Sequence, residues 1–246
     1  MVVRVLDTDA AGMLAVDSLC DFLQEAAGGH VRELGVSVAD LLPRGLTWVL
    51  SRLRLRVDRL PRRGERVEVT TWPSGVDRLF ALRDFRLLDV QGERVAAAVT
   101  GWLLVDLASR RPLRTRTVFD PALGADIPRV LECGIEKLGG FAAAERETPF
   151  DVRLRDLDEN DHVNNARIAE WVAESVDRGT WERRSVSALD IDFLSEIRHR
   201  DHLLARAARE VEGRWVHSLV RQGDGVELAR ARTEWRPRDG SPPVPQ

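Results

Sequence analysis

Lysine, cysteine and long hydrophobic runs are scarce or absent in this chain of 246 residues, and each absence excludes a class of protein. Lys137 is the single lysine, arginine supplies the remaining positive charge, and the net charge of -3 argues against a nucleic-acid-binding surface at the level of the whole chain. Cys20 and Cys133 are too few for a disulfide scaffold and fit a reducing cytoplasm. No apolar stretch reaches membrane-spanning length, and the N-terminal residues do not resemble a signal peptide. We therefore expect a cytoplasmic protein with one large domain or two small ones.

The most informative stretch is Asp158-Glu-Asn160-Asp-His162-Val-Asn164-Asn165, which leads into an amphipathic helical pattern over 163–177. If the segment is extended, the side chains at 158, 160 and 162 lie on one face. Asn164 or Asn165 can cap the helix. An acid, an amide and a titratable base that converge at a helix start suit a hydrolytic site. The alternative is a turn with an Asx cap and an exposed histidine that has no function.

The first part of the chain predicts a short strand over 2–5 and then a long helix that stops near Gly35. Gly28 and Gly29 inside this helix each cost about 1 kcal/mol relative to alanine, which predicts that a sheet packs very close to it. His30 lies on the apolar face of the helix, either as a core histidine or as a residue that lines a cavity.

The order of elements then occurs twice, which indicates an internal duplication. Four alternating runs, at 46–60, 66–73, 79–88 and 94–107, are separated by turn signals and predict an antiparallel meander. A proline-interrupted segment follows, and it predicts an irregular connector over 111–145. A strand at 150–154, the polar loop, the second helix and four more strands come next, at 186–194, 202–210, 215–221 and 226–235. The tail, 237–246, is proline-rich and is expected to be disordered.

Aligning the two halves shows where they differ. Asp158 falls on Asp9, while Asn160, His162 and Glu196 fall on apolar residues of the first half, namely Ala11, Met13 and Leu60. The alignment predicts that only the second half has kept the polar groups that a catalytic site needs.

With these residues in view, the sequence resembles the acyl-acyl carrier protein thioesterases of bacteria and plants. The family signature D-x-N-x-H-V-N-N matches residues 158–165, and further similar segments are Gln24–Ala27, Leu46–Leu50, Trp102–Asp106 and Trp171–Ser175. The resemblance implies an α+β protein with two tandem hotdog folds, each a long helix wrapped by an antiparallel sheet, packed as a pseudo-dimer. The expected boundaries are 1–110 for the first fold and 146–236 for the second.

The resemblance also implies hydrolysis of a fatty acyl-acyl carrier protein to a free fatty acid. No metal or cofactor is implied, because the substrate carries the phosphopantetheine. The implied catalytic residues are Asp158, Asn160, His162 and Glu196. Plant members carry a cysteine after the glutamate, whereas this chain has Ile197, so a thiol nucleophile cannot operate from that position. Backbone N–H groups at the start of the second helix are candidate oxyanion donors.

Substrate contacts and partners follow less directly from the resemblance. Candidate substrate-binding residues are Asn164, Asn165, Met13, Trp48, Trp72 and Phe80. Arginines that flank the site are candidates for docking an acidic carrier protein: Arg178, Arg183, Arg184, Arg198 and Arg200. The partner is an acyl carrier protein bearing a fatty acyl chain, with no nucleic acid and no membrane, and the protein is a monomer or a homodimer. The alternatives are a coenzyme A thioesterase or a dehydratase on the same fold, and a non-catalytic module that binds acyl thioesters.

Overall fold

The computed structural model describes residues 1–120, 122–124, 126–140 and 143–238, which divide into two compact units. The N-terminal unit ends at Glu136 and the C-terminal unit begins at Lys137, so the division falls inside the stretch predicted as a connector. Most of the predicted disordered tail, 239–246, lies outside the described residues, whereas Pro237 is the last residue of a strand.

The N-terminal unit has an antiparallel sheet and one long helix. Its helices are α1 (Val16–Glu33) and the single-turn α2 (Val38–Leu41). Its strands are β1 (Leu46–Val57), β2 (Glu68–Asp77), β3 (Phe80–Leu88), β4 (Arg94–Asp106) and the short β5 (Arg111–Leu113). The strand order is β2-β3-β4-β1, and β5 pairs with β4.

The C-terminal unit repeats this plan. It contains α3 (Asn165–Glu174) and α4 (Arg178–Arg183), with strands β6 (Arg146–Asp151), β7 (Arg184–Phe193), β8 (His202–Val211), β9 (Arg214–Arg221) and β10 (Glu227–Pro237). The strand order is β7-β10-β9-β8-β6, and all pairs are antiparallel. The predicted duplication of loop, helix and antiparallel strands is therefore present in the fold. Among the described residues, no helix combines the length and hydropathy of a membrane-crossing segment.

Strand parity explains how the N-terminal core forms. In β3, Phe85 and Leu87 are buried on the same side of the sheet, because alternate residues share a face. Helix α1 buries its own stripe, which includes Leu19 and Leu23. Burial of such large side chains stabilises the fold by roughly 1.5 to 3 kcal/mol each.

Two predicted strands were wrong or misplaced because their residues form short 3-10 turns. The predicted strand over 2–5 contains only an isolated bridge at Val2, and Val5–Asp7 is a 3-10 turn. The strand predicted at 150–154 lies earlier, in β6, and Leu154–Asp156 forms the matching turn. In each turn the carboxylate of the last residue accepts a hydrogen bond from the backbone three residues earlier, at 2.8 Å.

The helix predicted over 163–177 ends earlier than its apolar periodicity indicates. Helix α3 stops at Glu174, and Asp177 begins α4 by accepting from the Thr180 N–H at 2.9 Å. Ser175 ends α3 because its hydroxyl bonds to the Val172 carbonyl at 2.7 Å and to His217 Nδ1 at 2.9 Å.

The expectation that a sheet packs tightly on Gly28 and Gly29 was wrong. A Cβ built on Gly29 meets nothing within 4 Å, and one on Gly28 meets only the Arg32 side chain at 3.6 Å. The two glycines therefore leave open space beside the second half of α1.

Part of the predicted connector is the outer layer of the N-terminal unit. Ile135 is buried with Leu82 and Val99 on one face of the sheet. The buried carboxylate of Asp84 accepts hydrogen bonds from Arg129 Nε at 3.1 Å and from the Val130 N–H at 2.7 Å. Residues 129–136 are therefore fixed to the sheet.

Candidate functional site

The polar loop 158–164 is a tight turn and not an extended segment. The Asp158 N–H donates to the His162 carbonyl at 2.7 Å, and the Asp161 N–H donates to the Asp158 carbonyl at 3.2 Å. Asp161 has a φ of 60°, a left-handed conformation that asparagine and aspartate tolerate better than most residues. The prediction that strand alternation brings the three side chains together was therefore wrong.

The Asp158 carboxylate stabilises this turn. Its Oδ1 accepts from the backbone N–H groups of Asn160, at 2.8 Å, and His162, at 3.2 Å. Such bonds are typical of an Asx turn, in which a short acidic side chain replaces a backbone acceptor. All hydrogen bonds of this carboxylate to described residues use Oδ1, so Oδ2 is left for another partner.

The structure brings His162 and Glu196 together. His162 Nε2 lies 3.4 Å from Glu196 Oε2, and both side chains are partly exposed. Arg198 contacts the same carboxylate oxygen at 3.0 Å. The Val163 N–H donates to the Ile197 carbonyl at 2.9 Å, which fixes the loop beside the residues that follow β7. This bond explains why two residues far apart in sequence share one site.

The remaining polar residues of the motif have separate positions. Asn160 lies exposed on the turn. Asn164 caps α3, since its Oδ1 accepts from the Ala166 N–H at 2.9 Å. Asn165 is the first residue of that helix.

The backbone hydrogen bonds at the start of α3 narrow the choice of oxyanion donor. The N–H groups of Val163, Asn164, Ala166 and Arg167 all donate to acceptors within the chain. The N–H group of Asn165 has no acceptor among the described residues, so it is the candidate donor that remains in this stretch.

The N-terminal copy has the same turn. The Asp9 N–H donates to the Met13 carbonyl at 2.8 Å, and Asp9 Oδ1 accepts from the N–H groups of Ala11, at 2.9 Å, and Met13, at 3.1 Å. Gly12 occupies the left-handed position, with a φ of 71°, that Asp161 occupies in the second copy.

The next backbone contact is also repeated. The Leu14 N–H donates to the Pro61 carbonyl at 2.7 Å, as the Val163 N–H does to Ile197. This bond places Leu60 at the position of Glu196, as the alignment of the halves predicted. The aspartate is thus common to both turns, whereas the amide, the imidazole and the glutamate occur only in the C-terminal copy.

The proposed acyl-chain residues of the N-terminal unit are mostly packed core residues. Trp48 Nε1 donates to the Val36 carbonyl at 2.9 Å, and its ring packs on the cluster around Leu104. Trp72 is 7% exposed, and Phe80 packs on the Ile135 cluster. Met13 is half-buried beside Asp9. A role for these residues in substrate binding stays a prediction.

Three of the five candidate docking arginines already form ion pairs within the chain. Arg178 pairs with Glu182, Arg184 with Glu212 and Arg198 with Glu196, at 2.6, 2.6 and 3.0 Å. Arg200 is exposed and has a left-handed φ of 69°.

The residue that follows Glu196 carries no thiol. Ile197 occupies the position after Glu196 and is 2% exposed. Cys20 and Cys133 both belong to the N-terminal unit. Within the described part of the chain, no three His, Cys, Asp or Glu side chains form a group that could hold a metal ion.

Known structures share this fold along nearly the whole chain. An acyl-ACP thioesterase from Bacteroides thetaiotaomicron superposes with a TM-score of 0.87 at 23% identity and covers 96% of both chains. A 12:0-ACP thioesterase from Umbellularia californica gives 0.83 at 24% identity, with 97% of this chain and 96% of that one covered. These likenesses confirm the predicted α+β class and the tandem hotdog folds.

Sequence comparison gives the family. Palmitoyl-acyl carrier protein thioesterases of chloroplasts from Cuphea hookeriana and Arabidopsis thaliana are each 28% identical, over 97% and 95% of this chain. The chain spans 61% and 62% of the length of these two relatives. The model of the acyl-ACP thioesterase N-terminal domain matches residues 1–119, and that of the C-terminal domain matches residues 141–237. The chain therefore belongs to the acyl-ACP thioesterase family.

Proposed function

We propose that this protein hydrolyses the thioester of a fatty acyl-acyl carrier protein and releases a free fatty acid and the thiol of the carrier's phosphopantetheine. The observation that carries the proposal is the contact of His162 with Glu196, 3.4 Å apart, beside the Asp158 turn. The equivalent turn of the N-terminal unit has neither partner. Membership of the family and the names of the relatives support the substrate class.

In the proposed reaction, a water oxygen becomes bonded to the thioester carbon, the carbon–sulfur bond breaks, and a proton passes to the departing thiolate. Asp158 acts either as the base that deprotonates the water or as a direct nucleophile; in the second case the carbon–sulfur bond breaks to give a mixed anhydride, which the water then hydrolyses to the fatty acid and the free carboxylate. Its Oδ1 is held by two backbone N–H groups, so the carboxylate has one orientation and Oδ2 is the oxygen left to react. A thiolate leaves readily, so orientation and charge stabilisation supply most of the acceleration.

The other polar groups assist this step. Glu196 orients or deprotonates the water, and His162 orders the carboxylates or donates the proton to sulfur. Asn160 holds the water or the carbonyl oxygen through its amide. The Asn165 N–H, at the start of α3, donates to the developing oxyanion, because the neighbouring N–H groups are occupied.

Docking of the acidic carrier protein would use the arginines that flank the site in sequence. Arg183 and Arg200 are the first choice, because Arg178, Arg184 and Arg198 are engaged by carboxylates of the chain. Such docking is screened by salt. Raising the ionic strength should therefore raise KM for an acyl carrier protein substrate, whereas an unchanged KM contradicts docking by charge.

The location and the assembly stay predictions. Two cysteines without a disulfide fit the reducing cytoplasm. Either a monomer or a homodimer agrees with a tandem fold.

The proposal is tested by measuring thiol release from dodecanoyl-acyl carrier protein and from dodecanoyl-coenzyme A. We expect a higher kcat/KM for the carrier protein; preference for coenzyme A favours the alternative thioesterase, and no thiol release from either substrate favours a non-catalytic module. Conversion of a hydroxyacyl substrate without thiol release favours a dehydratase.

Glu196→Gln should lower kcat by orders of magnitude, roughly a hundredfold or more. Glu159→Gln, an exposed residue of the same loop, is the matched control and should keep activity near that of the wild type.

A further inference from the structure

A buried arginine lies inside the N-terminal unit, between its sheet and α1. Arg83 belongs to β3 and shares a strand face with Phe85 and Leu87, which form part of the apolar core. It is 7% exposed. His30, on the last turn of α1, forms a hydrogen bond with its guanidinium.

The hydrogen bonds of Arg83 hold one side of the guanidinium. Nη1 donates to His30 Nδ1 at 3.0 Å and to Thr71 Oγ1 at 3.2 Å. The Thr71 hydroxyl donates a hydrogen bond to the Asp84 carbonyl at 2.9 Å, so its oxygen accepts the hydrogen bond from Arg83. Among the described residues, no carboxylate contacts the guanidinium, and its Nε–Nη2 edge has no acceptor.

Arg83 and His30 have N–H groups that can still donate, and the acceptor nitrogen of His30 is already used by Arg83. Because Nδ1 of His30 accepts from Arg83, the ring proton is on Nε2, which also lacks an acceptor within the described residues. Burial and then the neighbouring guanidinium lower the pKa of His30 and outweigh the opposite effect of the Glu33 carboxylate, so the ring stays uncharged. Burial lowers the pKa of Arg83 to about 10, which leaves it charged at neutral pH. A buried cation without a counterion is costly, so a compensating anion stabilises it.

We propose that Arg83 and His30 form a binding site for the carboxylate of an alkyl chain. The Nε–Nη2 edge of a guanidinium matches the two oxygens of a carboxylate, and His30 Nε2–H is a further donor. Phe85 and Leu87 continue the strand face of Arg83 as buried apolar side chains, and such a face suits a hydrocarbon chain rather than a hydrated ion. His30 and Thr71 are only half-buried, so the two partners of Arg83 lie where the core meets solvent.

Two molecules carry this chemistry. One is a free fatty acid, which is the product of the proposed hydrolysis, so this source rests on the proposed function. The other is an acyl chain with a second carboxylate at its far end. The site itself is defined by Arg83 and His30 and does not depend on hydrolysis.

Direct binding of dodecanoate to the full chain, measured by calorimetry, tests the proposal. Arg83→Gln should weaken dodecanoate binding roughly tenfold or more, because a charge-assisted bidentate contact is lost. Arg86→Gln is the matched control, since Arg86 lies in the same strand but is exposed and stacks on Trp72. Dodecan-1-ol should bind the wild type and Arg83→Gln equally.

Arg83→Met separates a ligand site from a structural role. It should keep the wild-type Tm or raise it, because an unpaired buried charge is replaced by an apolar side chain, and it should still lose dodecanoate binding. Equal dodecanoate affinity in the wild type, Arg83→Gln and Arg83→Met would overturn the proposal. So would a Tm loss in both variants with unchanged affinity, which would mean that Arg83 only stabilises the end of α1.

Measurements of kcat/KM and of inhibition by dodecanoate distinguish the two molecules that could bind at Arg83. If Arg83→Gln lowers kcat/KM for a thioester of dodecanedioic acid but not for a dodecanoyl thioester, the site takes the far end of the substrate. If it changes neither, but relieves inhibition by dodecanoate, the site takes the product. An inactive wild-type enzyme contradicts the proposed hydrolysis alone, because the binding measurements remain.

Discussion

Asp158 shows how far a single residue can be interpreted from sequence. Aligning the halves identified its counterpart, Asp9, and paired Glu196 with Leu60, and the backbone bonds agree with both pairs. The local conformation was missed. An aspartate can bond to N–H groups two and four residues ahead of it, and in this loop those bonds replace a strand. A motif thus shows which groups belong together better than it shows how the backbone brings them together.

His217 is a residue whose environment the sequence did not show. It is buried in the C-terminal unit between Ser175 and Thr233, with its ring nitrogens 2.9 and 2.8 Å from their hydroxyl oxygens. Trp235 Nε1 donates to Thr233 at 2.8 Å and Ser175 donates to a carbonyl, so the hydrogen bonds of an uncharged ring are complete. Burial lowers the pKa of His217 to about 3 from an ordinary value of 6.5.

This pKa predicts acid sensitivity. Below about pH 6.5 the unfolded chain binds a proton at His217 that the folded chain does not bind until about pH 3. The free energy of unfolding is therefore unaffected by His217 above about pH 6.5. Between about pH 6.5 and pH 3 it falls by up to about 1.4 kcal/mol for each unit by which the pH drops. Urea unfolding between pH 7 and pH 4 measures the slope. His217→Gln should make the slope shallower, whereas substitution of the exposed His199 by Gln should not; equal slopes in all three proteins contradict a buried neutral ring.

At the scale of elements, periodicity located most strands and both main helices. It failed where polar side chains end or replace an element, as at Ser175 and in the two 3-10 turns. Arg83 carried a usable signal, because it is a charge in the apolar phase of its strand. Its partner on α1 could not be identified, since the two residues are 53 positions apart. The role of residues 129–136 was missed for the same reason, because Asp84 holds them from 45 positions away.

The cap of α3 gives a prediction for one element. Asn164→Ala should lower the free energy of unfolding by about 1 kcal/mol, because the Ala166 N–H loses its acceptor. Asn164→Asp keeps a capping oxygen and should stay close to the wild type in stability. Urea titration of the wild type and the two variants measures the free energy of unfolding. An equal decrease in both variants would show that the amide NH₂ of Asn164, rather than its capping oxygen, stabilises the fold.

The layer formed by residues 129–136 gives a second prediction. A Cβ on Gly101 would lie 2.8 Å from Ile135 Cδ1. Gly101→Ala should therefore destabilise the protein by about 1 to 3 kcal/mol through overpacking. In the double variant with Ile135→Ala the two losses should sum to less than their separate values, because the clash is gone. Strictly additive losses would mean that the segment does not pack on the sheet in solution.

At the scale of the molecule, two copies of one fold have kept the same turn and different side chains. The sequence predicted the duplication and the family because both depend on patterns that recur along the chain. It could not show which residues the connector contacts, nor the donor-rich cluster at Arg83, since these depend on packing between distant segments.

The most direct test of the central claim compares Asp158→Asn with Asp9→Asn, measuring kcat/KM for dodecanoyl-acyl carrier protein. Asparagine keeps the oxygen that accepts from the two backbone N–H groups, so both turns should persist. If the chemistry belongs to the C-terminal copy, Asp158→Asn loses roughly a hundredfold or more, while Asp9→Asn stays within about threefold of the wild type. Equal losses in the two variants, or near wild-type turnover in Asp158→Asn, would contradict it.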